Sequence, residues 1–414
     1  MPIQPRPVDD SETFIECLER LTEWKRDELR ATYSKPDGVT STAWSDPYKI
    51  SLLRKNSVPS NATEDAEKVF FIKFVPVRPS FPAFEVAKGE YASMKRISVY
   101  QPGLCPKPLG CGYVEMNTQR HLLPISSSWL GESALDTGKN AYFICEYLEI
   151  ERQLGDHDGK DVIPGDDMER NNAIMQKFCE SLVKLHQDNS TRTRPQATKR
   201  FGFSIRTFWG WYESPPAPQK KLVRSDSWCD IFKDSLKDLV WQLEGSPMSE
   251  LRDQREEAVV DKFSVAWKGF EEKKVIETLL NGLKDPKGLG PIEPSLLHGD
   301  LWCGNTALLK AKDGETDIKT VIFNAACSYG HNEYELGNWL PERNKLRKFI
   351  DMYLEAYGGK CQPEEEFDLR LQLYSIKFNL QSAWKFPKEN CYLETAIKDM
   401  EDLCQKVGGS GRRK

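Results

Sequence analysis

A chain of 414 residues with 39% hydrophobic and 29% charged side chains is long enough to build two lobes with a real core. Its net charge of -5 gives no basic footprint for nucleic acid, no run approaches a membrane span, and its eleven cysteines are scattered without a C-x-x-C pair. With acidic residues near the start and no apolar signal region, a cytoplasmic monomer with reduced thiols is expected, without nucleic-acid or membrane partners.

The first expected element is a helix over 13–32, opened by Thr13 and Glu16 at capping-box spacing. Residues 1–34 are therefore read as an N-terminal helical segment, 35–150 as a strand-rich lobe with its linker, 151–407 as a helical lobe and 408–414 as a flexible tail. Within the strand-rich lobe, the segment Gly38-Val39-Thr40-Ser41-Thr42-Ala43-Trp44 has one glycine, so the Gly-x-Gly-x-x-Gly phosphate loop is absent. Ser41 and Thr42 suit phosphate capping or an ordinary polar hairpin. Val69-Phe70-Phe71-Ile72-Lys73-Phe74 is an apolar strand interrupted by one lysine, the pattern of a phosphate-anchoring Lys. A helix over 84–99 follows, in which Glu90, or failing that Glu85, pairs with Lys73. Ala141 to Cys145 forms a further strand that ends in Glu146-Tyr147-Leu148, whose backbone suits an adenine edge.

Beyond this linker the chain turns helical. Helices are expected over 171–187, with His186 in a structural role, and over 236–243, 259–283, 345–357, 366–378 and 393–407. The polar stretch 126–140 and the Pro-rich stretch 214–219 read as surface loops. A strand-rich front followed by many helices suits an α+β fold better than an alternating parallel sheet.

The most informative segment is Leu297-His298-Gly299-Asp300-Leu301-Trp302-Cys303-Gly304-Asn305. An Asp followed five residues later by an Asn is the active-loop spacing of phosphoryl-transfer enzymes. Asp300 would accept the proton of a substrate hydroxyl, and the Asn305 amide oxygen would ligate a magnesium ion on the ATP phosphates. Gly299 and Gly304 suit the bends of such a loop. Gly299 stands where regulated protein kinases carry Arg, so no phosphoswitch is indicated, and residues 328–340 lack an Ala-Pro-Glu terminus for peptide docking. Trp302, Trp209 and Trp211 suit either sugar stacking or packing.

A second metal-binding acid should follow the next strand, Thr320-Val321-Ile322-Phe323, but position 324 is Asn. At an effective dielectric near 20, one unit-charge pair at 4 Å is worth about 4 kcal/mol. Losing even about 2.7 kcal/mol of it would slow a reaction roughly a hundredfold. Asn324 therefore predicts either a slow enzyme or a relative that only binds.

The stretch Pro294 to Asn305, then Val321-Ile322-Phe323, then Tyr329-Gly330-His331-Asn332-Glu333-Tyr334-Glu335-Leu336-Gly337 resembles the fructosamine kinase (ketosamine 3-kinase) family, most of all its fungal members. Weaker likeness runs from about Gly38 to Cys404. The resemblance implies a two-lobed, protein-kinase-like fold of the aminoglycoside phosphotransferase type. It also implies that ATP and magnesium are used to phosphorylate a sugar hydroxyl on an amine-linked sugar or a glycated protein lysine. On this footing Asp300 is catalytic, Lys73, Glu90, Glu146, Tyr147 and Leu148 bind the nucleotide, and Asn305 and Asn324 face the metal, with Asn324 departing from the family's Phe-Asp. Glu335 matches an acidic family position and is expected to steady the loop. The alternatives are a pseudokinase module that binds nucleotide, or a kinase for another small metabolite.

Overall fold

The computed structural model describes residues 13–36, 45–54, 67–75, 82–115, 139–155, 168–188, 199–209, 225–245, 257–311, 314 and 317–409. The segment 38–44, Trp211, the Pro-rich stretch 214–219, most of the loop 126–140 and residues 410–414 lie outside them. The chain divides into two compact units, one of residues 1–150 with 206–216 and one of 151–205 with 217–414.

In the first unit, Thr13 caps helix α1 (Phe14–Thr22). Its hydroxyl accepts from the Glu16 amide, and the Glu16 carboxylate accepts from the Thr13 amide at 2.7 Å. The helix stops at Glu23, which is left-handed, and is much shorter than the expected 13–32. Residues 29–34, assigned above to the N-terminal helical segment, are instead strand β1 (Leu29–Ser34). Thr32 and Tyr33 favour a pleated, half-buried surface, and β1 pairs antiparallel with β2 (Asp46–Arg54) from Leu29↔Arg54 to Ser34↔Lys49. Strands β3 (Lys68–Val75), β4 (Pro108–Glu115) and β5 (Lys139–Glu146) complete an antiparallel sheet in the order β1-β2-β3-β5-β4. Period-two alternation puts Ile50 and Leu52, Ile72 and Phe74, and Tyr142 and Ile144 into one core with Phe14, Cys17 and Leu18 of α1. Lys73 falls on the other face, against which helix α2 (Ala83–Tyr100) lies. Gly89 lets α2 approach closely, since a β-carbon there would stand 2.6 Å from the Arg206 carbonyl oxygen.

The second unit begins at Glu151, within strand β6 (Ile150–Gln153), and continues with helices α3 (Met168–Gln187), α4 (Trp228–Gly245), α5 (Glu257–Glu272) and α6 (Val275–Leu280). The single helix expected over 259–283 is thus two. Residues 271–274 are all exposed and charged, Lys274 is left-handed, and the break turns Val275 and Ile276 inward. Strands β7 (Ser295–Leu297), β8 (Thr306–Leu309), β9 (Thr320–Ile322) and β10 (Ser328–Gly330) then form two small sheets, β7 with β10 and β8 with β9 and β6. The loop β7–β8 carries Asp300 and Asn305, and the loop β9–β10 carries Asn324. Helices α7 (Glu333–Gly337), α8 (Phe349–Tyr357), α9 (Phe367–Lys385) and α10 (Asn390–Gly409) close the unit. Helix α9 runs seven residues past its expected end at 378, and most of its side chains are buried.

Candidate active site

The β7–β8 loop is held from beneath by one buried carboxylate. Glu335 on α7 accepts from the His298 amide at 2.6 Å and from the Gly299 amide at 3.1 Å. Burial acts to raise its pKa, but the bonds and charges of His186 and His298 outweigh burial and hold it below the usual carboxylate range. His186 Nε2 lies 3.8 Å from Glu335 Oε2, and its Nδ1 meets the Tyr353 hydroxyl at 2.6 Å, so its structural role stands and Glu335 steadies the loop. Gly299 turns the chain at φ 86°. At Gly304 a β-carbon would meet the Trp302 ring at 2.3 Å, so the glycine leaves room for that ring to lie over it. Trp302 is therefore folded onto its own loop.

The two loops are laced together. His298 Nδ1 accepts from the Asp300 amide at 3.3 Å, so Nε2 carries the proton that it gives to the Phe323 carbonyl at 2.9 Å. The His298 carbonyl accepts from the Ala326 amide, and the Asn305 carbonyl from the Phe323 amide. Asn305 Nδ2 donates to the Asp300 carbonyl at 2.7 Å, which fixes its amide with Oδ1 facing away from that carbonyl. The Asn305 side chain thus meets the Asp300 backbone within one short bend.

One lone pair of the Asn305 oxygen is taken by a neighbouring amide. Asn324 Nδ2 donates to Asn305 Oδ1 at 3.0 Å, and Asn324 is left-handed at φ 60°, a conformation that Asn tolerates better than most side chains. Magnesium takes a near-octahedral set of oxygens, usually with a carboxylate among its protein ligands. Here an amide hydrogen points at the ligand oxygen, and an uncharged side chain stands where the acid would be. As arranged, Asn305 and Asn324 do not fit a magnesium ion.

Asp300 is only partly exposed. Loss of hydration raises its carboxyl above the ordinary Asp range, and the ammonium groups of Lys385 and Lys377 offset part of that rise. A raised pKa suits a group that must receive a proton during reaction. Lys377 on α9, a residue that periodicity passes over, is buried, pushed well below the ordinary Lys range by burial, and bonded to the Tyr334 hydroxyl.

In the first unit, Lys73 sits at the centre of the sheet, opposite Pro47 on one side and Phe143 on the other. Its Nζ donates to Glu90 Oε1 at 2.7 Å, with both side chains largely buried, whereas Glu85 is exposed. The expected Lys–Glu pair is formed by Glu90. The Glu146 amide donates to the Lys107 carbonyl at 2.9 Å and its carboxylate accepts from the Lys107 amide, so that amide is not offered to an adenine edge. Tyr147 carries the Lys49 ammonium 4.7 Å from its ring, and Leu148 is half-buried. Trp209 is buried in packing.

A second cluster has the residue types of a metal site. His331, Glu333 and Cys361 bring ligand atoms within 4.8 Å of one another. Two of its three groups are engaged elsewhere. Arg370 grips both Glu333 oxygens at 2.7 and 3.1 Å, and burial pushes the Cys361 thiol well up. The Tyr374 hydroxyl accepts from Trp228 Nε1 and meets His331 Nδ1 at 2.9 Å, while His331 Nε2 lies 3.8 Å from Glu333 Oε2 without a hydrogen bond. The Arg370 guanidinium already neutralises the one carboxylate of this cluster. All eleven cysteines are free thiols, and ten are buried.

Comparison with known proteins gives the family of the chain. The fructosamine kinase family model matches residues 56–406. Mouse ketosamine-3-kinase is 38% identical over 93 residues, which are 22% of this chain and 26% of that protein. The chloroplastic protein-ribulosamine 3-kinase of Oryza sativa subsp. indica is 52% identical over 86 residues, 20% of this chain and 22% of that protein. The matched stretches thus span about a quarter of these curated relatives. A crystal structure assigned as a fructosamine-3-kinase from Haemophilus somnus 129PT superimposes with a TM-score of 0.54 at 14% identity, covering 94% of this chain and 96% of that one, and so shows the fold. Among the described residues, no helix is long and apolar enough to cross a membrane. The chain carries the expected α+β kinase-like fold and belongs to the fructosamine kinase family.

Proposed function

We propose that this protein is an ATP-dependent phosphotransferase acting on a hydroxyl of an amine-linked ketose, either free or on a glycated protein lysine. The observation that carries the reading is the bend in which the Asn305 amide bonds the Asp300 carbonyl while Glu335 holds the preceding amides. In the reaction the acceptor hydroxyl gives its proton to the Asp300 carboxylate as its oxygen bonds the γ-phosphorus. The bond between that phosphorus and the β–γ bridging oxygen breaks, and its electron pair leaves with ADP. Preorganisation by Glu335 supports such positioning, and Lys73, kept in place by Glu90, is the group for the nucleotide phosphates.

Magnesium bound to the ATP phosphates supplies charge neutralisation in phosphoryl transfer generally, but no step is assigned to it here, because the paired amides give it a poor site. That pairing favours a slow enzyme. It equally favours a second reading, a pseudokinase that binds nucleotide without turnover. A coupled ADP-release assay with a fructosamine, a ribulosamine, an aminoglycoside or no acceptor separates the two. Ketosamine-dependent release that Asp300→Asn abolishes supports the enzyme. Nucleotide binding without release in wild type supports the pseudokinase.

A further inference from the structure

Together with the ends of α3 and α8, the stretch between Asp285 and Ser295 walls a cavity of about 490 Å³ in the second unit. That is the size of a small-molecule site. The wall is firm without any ligand. Lys284 and Gln362 exchange amide–carbonyl bonds at 3.1 and 3.0 Å, and the Asp285 amide donates to the Gly290 carbonyl at 2.9 Å. Pro286, Pro291 and Pro294 fix their own backbone angles in the same wall. A site that is already ordered binds without the entropic cost of ordering it.

The cavity lies behind the Asp300 loop rather than in it. Ser295 is in its wall at the start of β7, whose far end leads into His298 and the bend, so roughly 10 Å of strand stands between them. The lining selects a charge pattern. Asp285 and Glu293 supply two carboxylates and Lys287 one ammonium, and α8 ends there at Tyr357 and Gly358 with the negative pole of its dipole. One Asp285 oxygen accepts from the Leu289 amide at 3.0 Å, which fixes that carboxylate in place. Pro286, Pro291 and Ile292 add apolar surface between the charges. An anion would meet two like charges, and a simple amine would give Lys287 no counter-charge. A molecule with two ammonium groups, one carboxylate and a methylene stem answers all three.

We propose that this cavity is a second ligand site, taking a basic amino acid of the lysine type, with its stem along the prolines, its carboxylate at Lys287 and its ammonium groups at Asp285 and Glu293. This goes beyond the phosphotransferase reading and stands whether or not the chain turns over ATP.

The test is calorimetric titration of the full chain with L-lysine, with norleucine, which lacks the side-chain ammonium, and with cadaverine, which lacks the carboxylate. Wild type should bind one L-lysine per chain and the other two about tenfold or more weakly, the loss of roughly one charge-assisted hydrogen bond. Glu293→Gln should weaken L-lysine by a similar factor. Lys287→Met should weaken L-lysine but bind cadaverine as wild type does, which also shows that the variant is folded. Asp300→Asn should bind L-lysine as wild type does. No binding of L-lysine by wild type, or equal affinity for all three compounds, would overturn the proposal. So would wild-type affinity for L-lysine in either wall variant. Loss of L-lysine binding in Asp300→Asn would move the ligand to the β7–β8 loop and overturn it as well.

Discussion

Replacing Asn324 by Asp should make a divalent cation part of the stability of the second unit. In the wild type the Asn324 amide donates to Asn305 Oδ1 at 3.0 Å. A carboxylate in the same place sets two acceptors against each other. The lost bond and the unmet oxygen should together cost about 2 kcal/mol. For a unit of this size that corresponds to a melting point lower by about 4–8 °C. A magnesium ion between the two oxygens reverses the sign, since a unit charge at 4 Å in an effective dielectric of 20 is worth about 4 kcal/mol. Thermal unfolding with nucleotide, with and without magnesium, reads this directly. Wild type should melt at nearly the same temperature in both, whereas Asn324→Asp should melt lower without the cation and recover with it. If wild type gains as much from magnesium as the variant does, the paired amides are not what excludes the ion, and the reasoning about this site is wrong.

Three further outcomes follow from the geometry. Burial raises the Asp300 pKa, so ionising it in the fold is a penalty that appears as pH rises through the ordinary Asp value of 3.8 and above. Asp300→Asn should therefore melt above wild type at pH 7 and together with it near pH 3, while losing phosphoryl transfer. Burial lowers the His331 pKa to about 4 from 6.5, so the folded state resists a proton that the unfolded chain accepts. Stability should be complete above pH 6.5 and fall by about 3 kcal/mol as the pH drops to 4, a decline that His331→Gln should flatten in denaturant titrations. Glu335→Gln turns one of two amide-accepting oxygens into a donor facing a backbone N–H. The expected loss is about 3 kcal/mol in urea unfolding, with a fall in kcat of the order of a hundredfold from misplacement of the loop.

The site was legible where chemistry fixes residue type at a fixed spacing. Asp300 and Asn305 stand five apart because one loop must bring them together, and Lys73 stands out because a lone cation in an apolar strand needs a reason. Glu335 was legible from its place in the family segment. What could not be read depends on partners distant in sequence. Nothing around Asn324 announces that its amide hydrogen would point at Asn305, nor around Glu146 that Lys107 would take its N–H. Strand β1 hid within a helix-like run because its inward residues are few and only pairing with β2 decides the matter. Helix α9 was cut short at 378 because beyond it Gln381 and Lys385 interrupt the apolar pattern, and burial by tertiary neighbours extends the helix regardless.

The central claim is that Asp300 takes a proton from an amine-linked ketose as phosphate is transferred to it. The most direct measurement is mass spectrometry of a fructosamine incubated with ATP and either wild type or Asp300→Asn. The account predicts slow appearance of the sugar phosphate with wild type and none with the variant. Equal phosphorylation by both proteins would contradict it, as would an unmodified sugar with wild type and with Asn324→Asp alike.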